Sequence, residues 1–342
     1  MSFEWAPLRV YWEVTRACSL ACRHCRAEAL PRAEPDELTP EEGRRLLERL
    51  AAFGDPPPHV ILTGGDPLER ADLFDLIAYA RSLGLEVSVS PSATPKLSNE
   101  TIWRLKNAGV AAVSLSLDGA TADSHDALRG VPGCFDRTVS AIRAAGEAAL
   151  PMQVNTLVCD ETFHDLPDVF ALATVLRAAR WSLFFLVSVG RGTVLQPLDA
   201  ETAEHLLWWA ADLPKGDRYP IVTTTEAPQF RRIALERKRL LGAWATRAAF
   251  GIRDGNGILF VSHAGDITPA GFLPVAAGNV RRDDVVDVYR HSPMFEGLRR
   301  PSEFHGKCGV CRFHSMCGGS RARAWAATGD VFGEDPLCLY VP

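Results

Sequence analysis

From residue 8 to about 190, short runs of apolar and β-branched residues alternate with longer stretches whose apolar positions recur at helical spacing. This is the pattern of strand and helix units wound around a parallel sheet. The strand runs are Leu8 to Val14, His59 to Leu62, Leu85 to Val89, Ala111 to Leu117, Met152 to Val158 and Ser182 to Val189. Helical stretches fill intervals near 69–83, 98–108, 135–149 and 164–179. The first helix is punctuated: Thr39 as N-cap, Pro40 in the first turn, Glu41 and Glu42 at the positive dipole end, and Gly54 as the stop. Six units fall short of the eight that close a full barrel, which predicts an α/β fold, an open partial (β/α)6 TIM-like barrel. Reacting groups in such sheets gather at the carboxyl ends of the strands, where loops vary without disturbing the packing.

After about 190 the pattern changes. A Gly-rich turn leads to a helix near 199–213, then to a basic helical run near 226–248 containing Phe230 to Arg239. The charge of this run suits an acidic leader peptide or propionates, but Ile233 and Leu240 provide an apolar stripe, which favours a helix packed on one side and solvated on the other. Gly257 to Thr268 reads as a hairpin turning at Ala264-Gly265-Asp266, and the final 40 residues are turn-rich. A boundary near 215 divides the chain into 1–215, the partial barrel, and 216–342, a tail with too little apolar content for its own core and an expected need for metal.

A chain of 342 residues, 47% hydrophobic and 23% charged, is not a disordered tail, a collagen or a small disulfide scaffold. A net charge of −5 does not recruit polyanions, so no nucleic-acid partner is expected. The longest apolar stretches, such as Trp181 to Val189, fall well below the roughly 18 residues that span a bilayer, and the N-terminus lacks an export signal. No membrane partner and a cytoplasmic location are expected. Nine cysteines in that setting should be reduced. Seven lie in two sets, Cys18, Cys22, Cys25 and Cys308, Cys311, Cys317, Cys338; Cys134 and Cys159 stand apart as expected core thiols.

The first set follows the first strand directly, as Cys18-Ser19-Leu20-Ala21-Cys22-Arg23-His24-Cys25. Three clustered thiolates suit zinc or iron–sulfur. Structural zinc takes four ligands, and His24 is an awkward fourth beside Cys25; three cysteines on a [4Fe–4S] cubane leave one iron open. C-x3-C-x2-C in this position, followed by Thr63-Gly64-Gly65-Asp66-Pro67 after the second strand, resembles the radical S-adenosylmethionine (SAM) superfamily. The resemblance implies that the Gly64-Gly65-Asp66-Pro67 turn holds the methionyl amino group of SAM, with Asp66 where many members carry Glu. It also implies that Ser116 and Arg129 touch the ribose and carboxylate of SAM, with Ser92, Thr94 and Asn155 facing the same region. The implied chemistry is electron transfer into the sulfonium, giving methionine and a 5′-deoxyadenosyl radical that removes a substrate hydrogen. A reductase, flavodoxin or ferredoxin-type donor is implied as partner.

The second set, C-x2-C-x5-C with distal Cys338, is compatible with zinc by count. Together with the hairpin and Gly278-Asn279-Val280 it resembles the SPASM extension of radical SAM enzymes. Positions where a full extension carries further cysteines read Ile267 to Gly271 and Arg321 here. The resemblance therefore implies one auxiliary [4Fe–4S] cluster on Cys308, Cys311, Cys317 and Cys338, two clusters in all, the auxiliary one serving electron transfer or support.

The ending from Cys317 through Arg321, Arg323 and Asp335 to Cys338 is similar to enzymes of haem and haem d1 biosynthesis, which implies that Arg321 and Arg323 pair with porphyrin propionates. It is equally similar to SPASM maturases of ribosomally made peptides, including mycofactocin maturase. The substrate is thus expected to be a small molecule or a peptide, and the absence of a recognition unit before the first strand favours the former. A non-catalytic metal-binding or electron-carrying protein explains both cysteine sets but not the Gly-Gly-Asp-Pro turn. A zinc-stabilised binding module would be colourless.

Overall fold

The computed structural model describes residues 3–240 and 251–342. Ten strands make one sheet: β1 (Arg9–Glu13), β2 (His59–Thr63), β3 (Val87–Val89), β4 (Ala112–Ser116), β5 (Met152–Val158), β6 (Arg180–Phe185), β7 (Ile221–Thr225), β8 (Ile258–Val261), β9 (Asp266–Thr268) and β10 (Gly278–Asn279). Their spatial order is β10-β9-β8-β1-β2-β3-β4-β5-β6-β7. Pairing is parallel from β8 through β1 to β7, and the antiparallel β9 and β10 finish one edge. The two ends do not pair, so the barrel is open between β7 and β10.

The helices are α1 (Pro40–Ala51), α2 (Leu73–Ser82), α3 (Asn99–Asn107), α4 (Ala122–Arg129), α5 (Cys134–Glu147), α6 (Leu166–Val175), α7 (Ala200–Asp212), α8 (Gln229–Leu240), α9 (Val285–His291), α10 (Pro293–Arg299), α11 (Gly306–Val310) and α12 (Arg321–Thr328). The start of α1 is a reciprocal cap: Glu42 N–H donates to Thr39 Oγ1 and Thr39 N–H to the Glu42 carboxylate. Sequence periodicity misses α4 because its inner face carries His125 and Arg129 rather than an apolar stripe. Its punctuation is nonetheless present, with Thr121 as N-cap and Gly130 at φ +70° as terminator. The turn-rich ending contains two short helices, α11 and α12.

The six expected strands all form, and the sheet then runs through the boundary expected near 215. Five consecutive β-branched residues in β7 add a seventh parallel strand beside β6, while β8 of the expected hairpin pairs with β1 at the other edge. Both additions cover edges that would otherwise present unpaired N–H and C=O groups.

Strand parity sorts the side chains. Val10, Trp12, Val60, Leu62, Val113, Leu115, Val154, Trp181 and Leu183 are buried in the core against the helices. The alternate residues Arg9, Tyr11, Ser114, Ser116, Gln153, Asn155, Arg180 and Phe184 are half-buried on the concave face. That lumen is mostly polar, unlike the filled interior of a closed barrel.

Helix α8 is described only to Leu240, and residues 241–248 of the basic run lie outside the described residues. Ile233 is fully buried as expected, but Leu240 is 71% exposed and does not extend the inward stripe. Arg232 pairs with Glu204 and Glu236, and Arg237 with Asp212, so this run clasps α7. Among the described residues, no helix is long and apolar enough to cross a membrane.

Candidate functional site

The loop after β1 folds back on itself before it presents any thiol. Cys18 N–H donates to Leu30 O at 2.7 Å, Leu30 N–H to Arg16 O at 3.0 Å, and the Arg16 guanidinium to Ala27 O and Glu28 O. Cys18, Cys22 and Cys25 pack together with Leu20, Ala29 and Val131. Backbone N–H groups of Leu20 and Ala29 point at Cys18 Sγ and Cys25 Sγ, each at 3.4 Å, and Arg129 Nη1 lies 3.6 Å from Cys22 Sγ. Burial pushes the Cys18 thiol up to about 11, so a positively charged group is needed to hold it as thiolate at neutral pH.

The spacing of the sulfurs decides between the metals. Around one tetrahedral zinc, with Zn–S of about 2.3 Å, sulfurs stand roughly 3.8 Å apart. Among the described residues no three cysteine sulfurs lie within 4.8 Å of one another; the group of three metal-binding side chains that does is Glu34, Asp36 and His263. His263 is already engaged there by Glu13 at 2.7 Å and Glu34 at 3.1 Å. Widely set thiols with N–H donors aimed at the sulfurs fit an iron–sulfur cluster better than a single ion.

The Gly64-Gly65-Asp66-Pro67 turn is the floor on which this loop rests. Gly65 N–H donates to Thr15 O at 2.8 Å and Asp66 N–H to Ala17 O at 2.7 Å. A Cβ on Gly64 would stand 2.3 Å from Thr15 O, and one on Gly65 2.5 Å from Ala17 O and 2.6 Å from Arg16 O. The glycines are thus required by the approach of the cysteine loop, a role the sequence did not suggest.

Asp66 departs from expectation. Its side chain is fully buried and its carboxylate is consumed by the chain: Oδ1 accepts from Leu68 N–H and Ser92 N–H, Oδ2 from Thr94 Oγ1 at 2.7 Å. Burial raises its pKa. It organises the turn together with Ser92, whose hydroxyl donates to Gly65 O at 2.7 Å and also borders the Cys18 thiol. Ser116 and Asn155 are register partners on β4 and β5, both on the lumen face; Asn155 Oδ1 accepts from Gln153 Nε2 at 2.7 Å.

Arg129 is likewise partnered already. It is 9% exposed, ion-paired with the buried Asp118, and donates to Cys22 Sγ, leaving Nε without a partner. Burial opposes its charge, yet Asp118 and the Cys22 sulfur hold its pKa above the ordinary value. His24, half-buried and lying in sequence between two cysteines, is pushed down to about 4 by desolvation and by Arg129, so it is neutral, and its buried Nδ1 has no partner. Arg191 was not found by motif. It follows Gly190 in the loop after β6, its N–H donates to Cys25 O at 3.1 Å, and its Nε and Nη2 are buried without partners. The sequence signal was only a Gly-Arg-Gly turn.

Cys308, Cys311, Cys317 and Cys338 line one small cavity, of about 20 Å³. N–H groups of Asp335, Phe313 and Gly319 point at Cys308, Cys311 and Cys317 Sγ, each at 3.4 Å. Burial pushes Cys317 up to about 12 and Cys338 to about 11. Cys134 and Cys159 are buried thiols, as expected, although Cys134 packs against the first set rather than apart from it.

Arg321 and Arg323 do not face a substrate. Arg321 is fully buried and donates to Gly319, Val331 and Gly333 carbonyls; Arg323 is paired with the buried Asp335 at 3.1 Å and with Glu226 O. Their type suggested carboxylate recognition, but the fold spends them on tying together the segments around the cavity, where Arg321 also lies 3.7 Å from Cys308 Sγ. Arg323→Ala is expected to destabilise by about 3–5 kcal/mol, since it strands a buried Asp335, measured as a lowered midpoint in denaturant; an unchanged midpoint contradicts the pairing.

Residues 12–173 match the model of the radical SAM superfamily. An AdoMet-dependent heme synthase of Oleidesulfovibrio alaskensis is 39% identical, over 97% of this chain and 87% of that protein. A pre-heme d1 synthase of Dinoroseobacter shibae is 29% identical, over 96% of this chain and 85% of that protein. The crystal structure of Streptococcus suis SuiB bound to precursor peptide SuiA superposes with a TM-score of 0.74 at 18% identity, covering 98% of this chain and 76% of that one, a likeness of fold.

Proposed function

The chain belongs to the radical SAM superfamily and is an enzyme, and on that premise we propose that it oxidatively decarboxylates propionate side chains of an iron-bearing tetrapyrrole. The observation that carries this reading is the 39% identity to a heme synthase along 97% of the chain, a match that runs far beyond the cysteine loop after β1.

When bound, the cluster on Cys18, Cys22 and Cys25 together with SAM would supply a one-electron cleavage and a 5′-deoxyadenosyl radical that takes a propionate hydrogen; the substrate would then lose carbon dioxide and pass one further electron to an acceptor, the role proposed for the auxiliary cluster, leaving a vinyl group. The chain's residues bind and shield. Gly64, Gly65 and Pro67 shape the backbone that would receive the methionyl ammonium, Asp66 and Ser92 keep that turn in place, and Ser116 and Asn155 offer hydroxyl and amide to the ribose. Arg129 and Arg191 would balance the carboxylate of SAM, through the buried N–H groups that lack partners. The ring of N–H and guanidinium donors around each cysteine set stabilises thiolate charge in a site poor in water. Cys308, Cys311, Cys317 and Cys338 would hold one auxiliary [4Fe–4S] cluster; with four protein ligands it leaves no open iron for substrate. Residues from about 216 onward, which also lend β7 and β8 to the barrel sheet, form the extension that carries it. A flavodoxin or ferredoxin-type protein is the proposed donor, and the cytoplasm the proposed location.

Anaerobically assembled protein is expected to hold roughly eight irons per chain, the content of two cubanes; zinc in their place overturns the catalytic reading. Dithionite-reduced enzyme with SAM should release 5′-deoxyadenosine, and Cys22→Ala should release none. Incubation with iron-coproporphyrin III, followed by mass spectrometry, should show loss of carbon dioxide. Intact porphyrin alongside modification of a peptide encoded nearby would replace the tetrapyrrole reading with a peptide one.

A further inference from the structure

The lumen has a cationic floor that the reaction as described does not use. Arg9 and Arg180 are the first residues of β1 and β6. Their neighbours Val10 and Trp181 are fully buried on the helix side, so strand parity turns both guanidinium groups toward the concave face. From the third direction comes Arg231 of α8, anchored through Nη1 to Met316 O at 2.9 Å. Among the described residues none of the three has a carboxylate within 4 Å. The Arg9 charge acts on Arg180, and on Arg231 as well, although there Cys317 and Asp254 supply the larger, opposite charge. Burial first, and then this repulsion, hold Arg180 below its ordinary pKa.

Arg9 and Arg180 are half-buried cations with no carboxylate in reach, an arrangement that is costly unless an anion completes it. Level with Arg9 lies its register partner Ile258, and four residues above Arg180 the same lumen face carries Phe184, edge-on to Phe272 at 6.5 Å. β1 rises about 3.3 Å per residue, so Arg9 begins roughly 13 Å below Glu13 at the mouth, where the cysteine loop starts. Apolar side chains beside and above a basic base are complementary to a flat amphipathic molecule standing with one carboxylate edge down.

We infer that Arg9 and Arg180, flanked by Arg231, bind the pair of substrate propionates that is not being converted, holding the opposite edge of the macrocycle at the mouth. This rests on the tetrapyrrole reading, and it assigns to the strand starts the recognition that the sequence placed on Arg321 and Arg323. The planar guanidinium fork makes two parallel bonds to a carboxylate, which sets orientation as well as affinity.

The test is spectroscopic titration of SAM-loaded holoenzyme with iron-coproporphyrin III and, separately, with its tetramethyl ester, which keeps the ring and removes the charges. Wild type should bind the acid more tightly than the ester. Arg9→Gln and Arg180→Gln should each weaken acid binding by about tenfold, the usual worth of one charged hydrogen-bonded contact, and leave ester binding unchanged. Arg180→Lys, which keeps charge but loses the fork, should fall between. Iron content and substrate-free 5′-deoxyadenosine release should match wild type in all three, which excludes misfolding. If wild type binds the porphyrin and the variants bind it equally well, the floor is not the carboxylate site and only this inference falls. If wild type binds no porphyrin, the tetrapyrrole reading falls and takes the inference with it.

Discussion

Gly65→Ala protein, assembled anaerobically with iron and sulfide, is expected to carry about four irons where wild type carries about eight. Its release of 5′-deoxyadenosine should drop by about 100-fold or more, the scale set by a misplacement of about 1 Å at a reacting centre. A methyl group at this position meets Ala17 O at 2.5 Å and Arg16 O at 2.6 Å, and both contacts are backbone. Neither can swing aside as a side chain would, so the cysteine loop itself must lift, and Cys18 is the very next residue. The second cavity shares no backbone with this turn and should fill normally, which gives the experiment an internal control. Full iron content with wild-type turnover would show that the loop does not rest on the glycines.

Arg129→Met should lower stability by about 3–5 kcal/mol, the cost of leaving one member of a buried ion pair alone. Asp118 is 2% exposed, and although burial works against its charge, Arg129 holds its pKa below the ordinary 3.8. A carboxylate depressed in the folded state contributes stability that is fully present above its unfolded pKa and is lost as pH falls through the folded value. Wild type therefore has this contribution at neutral pH and loses it only in strong acid. Without Arg129 the buried carboxylate takes up a proton more readily, so the variant should gain relative stability on mild acidification while wild type does not. Asp118→Asn combined with Arg129→Met should recover much of the loss, because no charge is then stranded. Denaturant midpoints between pH 4 and 8 check all three; equal losses in single and double variants would rule out the pairing.

The sequence exposed what depends on local order: the six strand and helix units, the capped α1, the hairpin of β8 and β9, and the grouping of seven cysteines into two sets. It could not show which side chains are already spent. Arg129 meets Cys22 across 107 positions, Arg323 reaches Glu226 across 97, and Gln229 donates to Asp335 across 106. A residue type announces what it can bind, whereas only the folded neighbourhood reveals whether its bonding capacity remains. Asp66 illustrates this: its acidity suggested a ligand for SAM, yet three donors from its own chain take both oxygens. β7 was hidden for another reason. Its β-branched run was visible, but a boundary drawn from the change of pattern near 190 placed it outside the sheet.

The pairing of β8 with β1 joins residues about 250 positions apart along the chain. During synthesis the first strand therefore waits, with one flank raw, until more than two-thirds of the polypeptide has left the ribosome. At elongation rates of about 5–20 residues per second that interval lasts roughly ten to fifty seconds. A product truncated near residue 215 would keep that flank, and the outer side of β6 as well, permanently bare. Such a fragment is a template for self-association rather than a smaller enzyme.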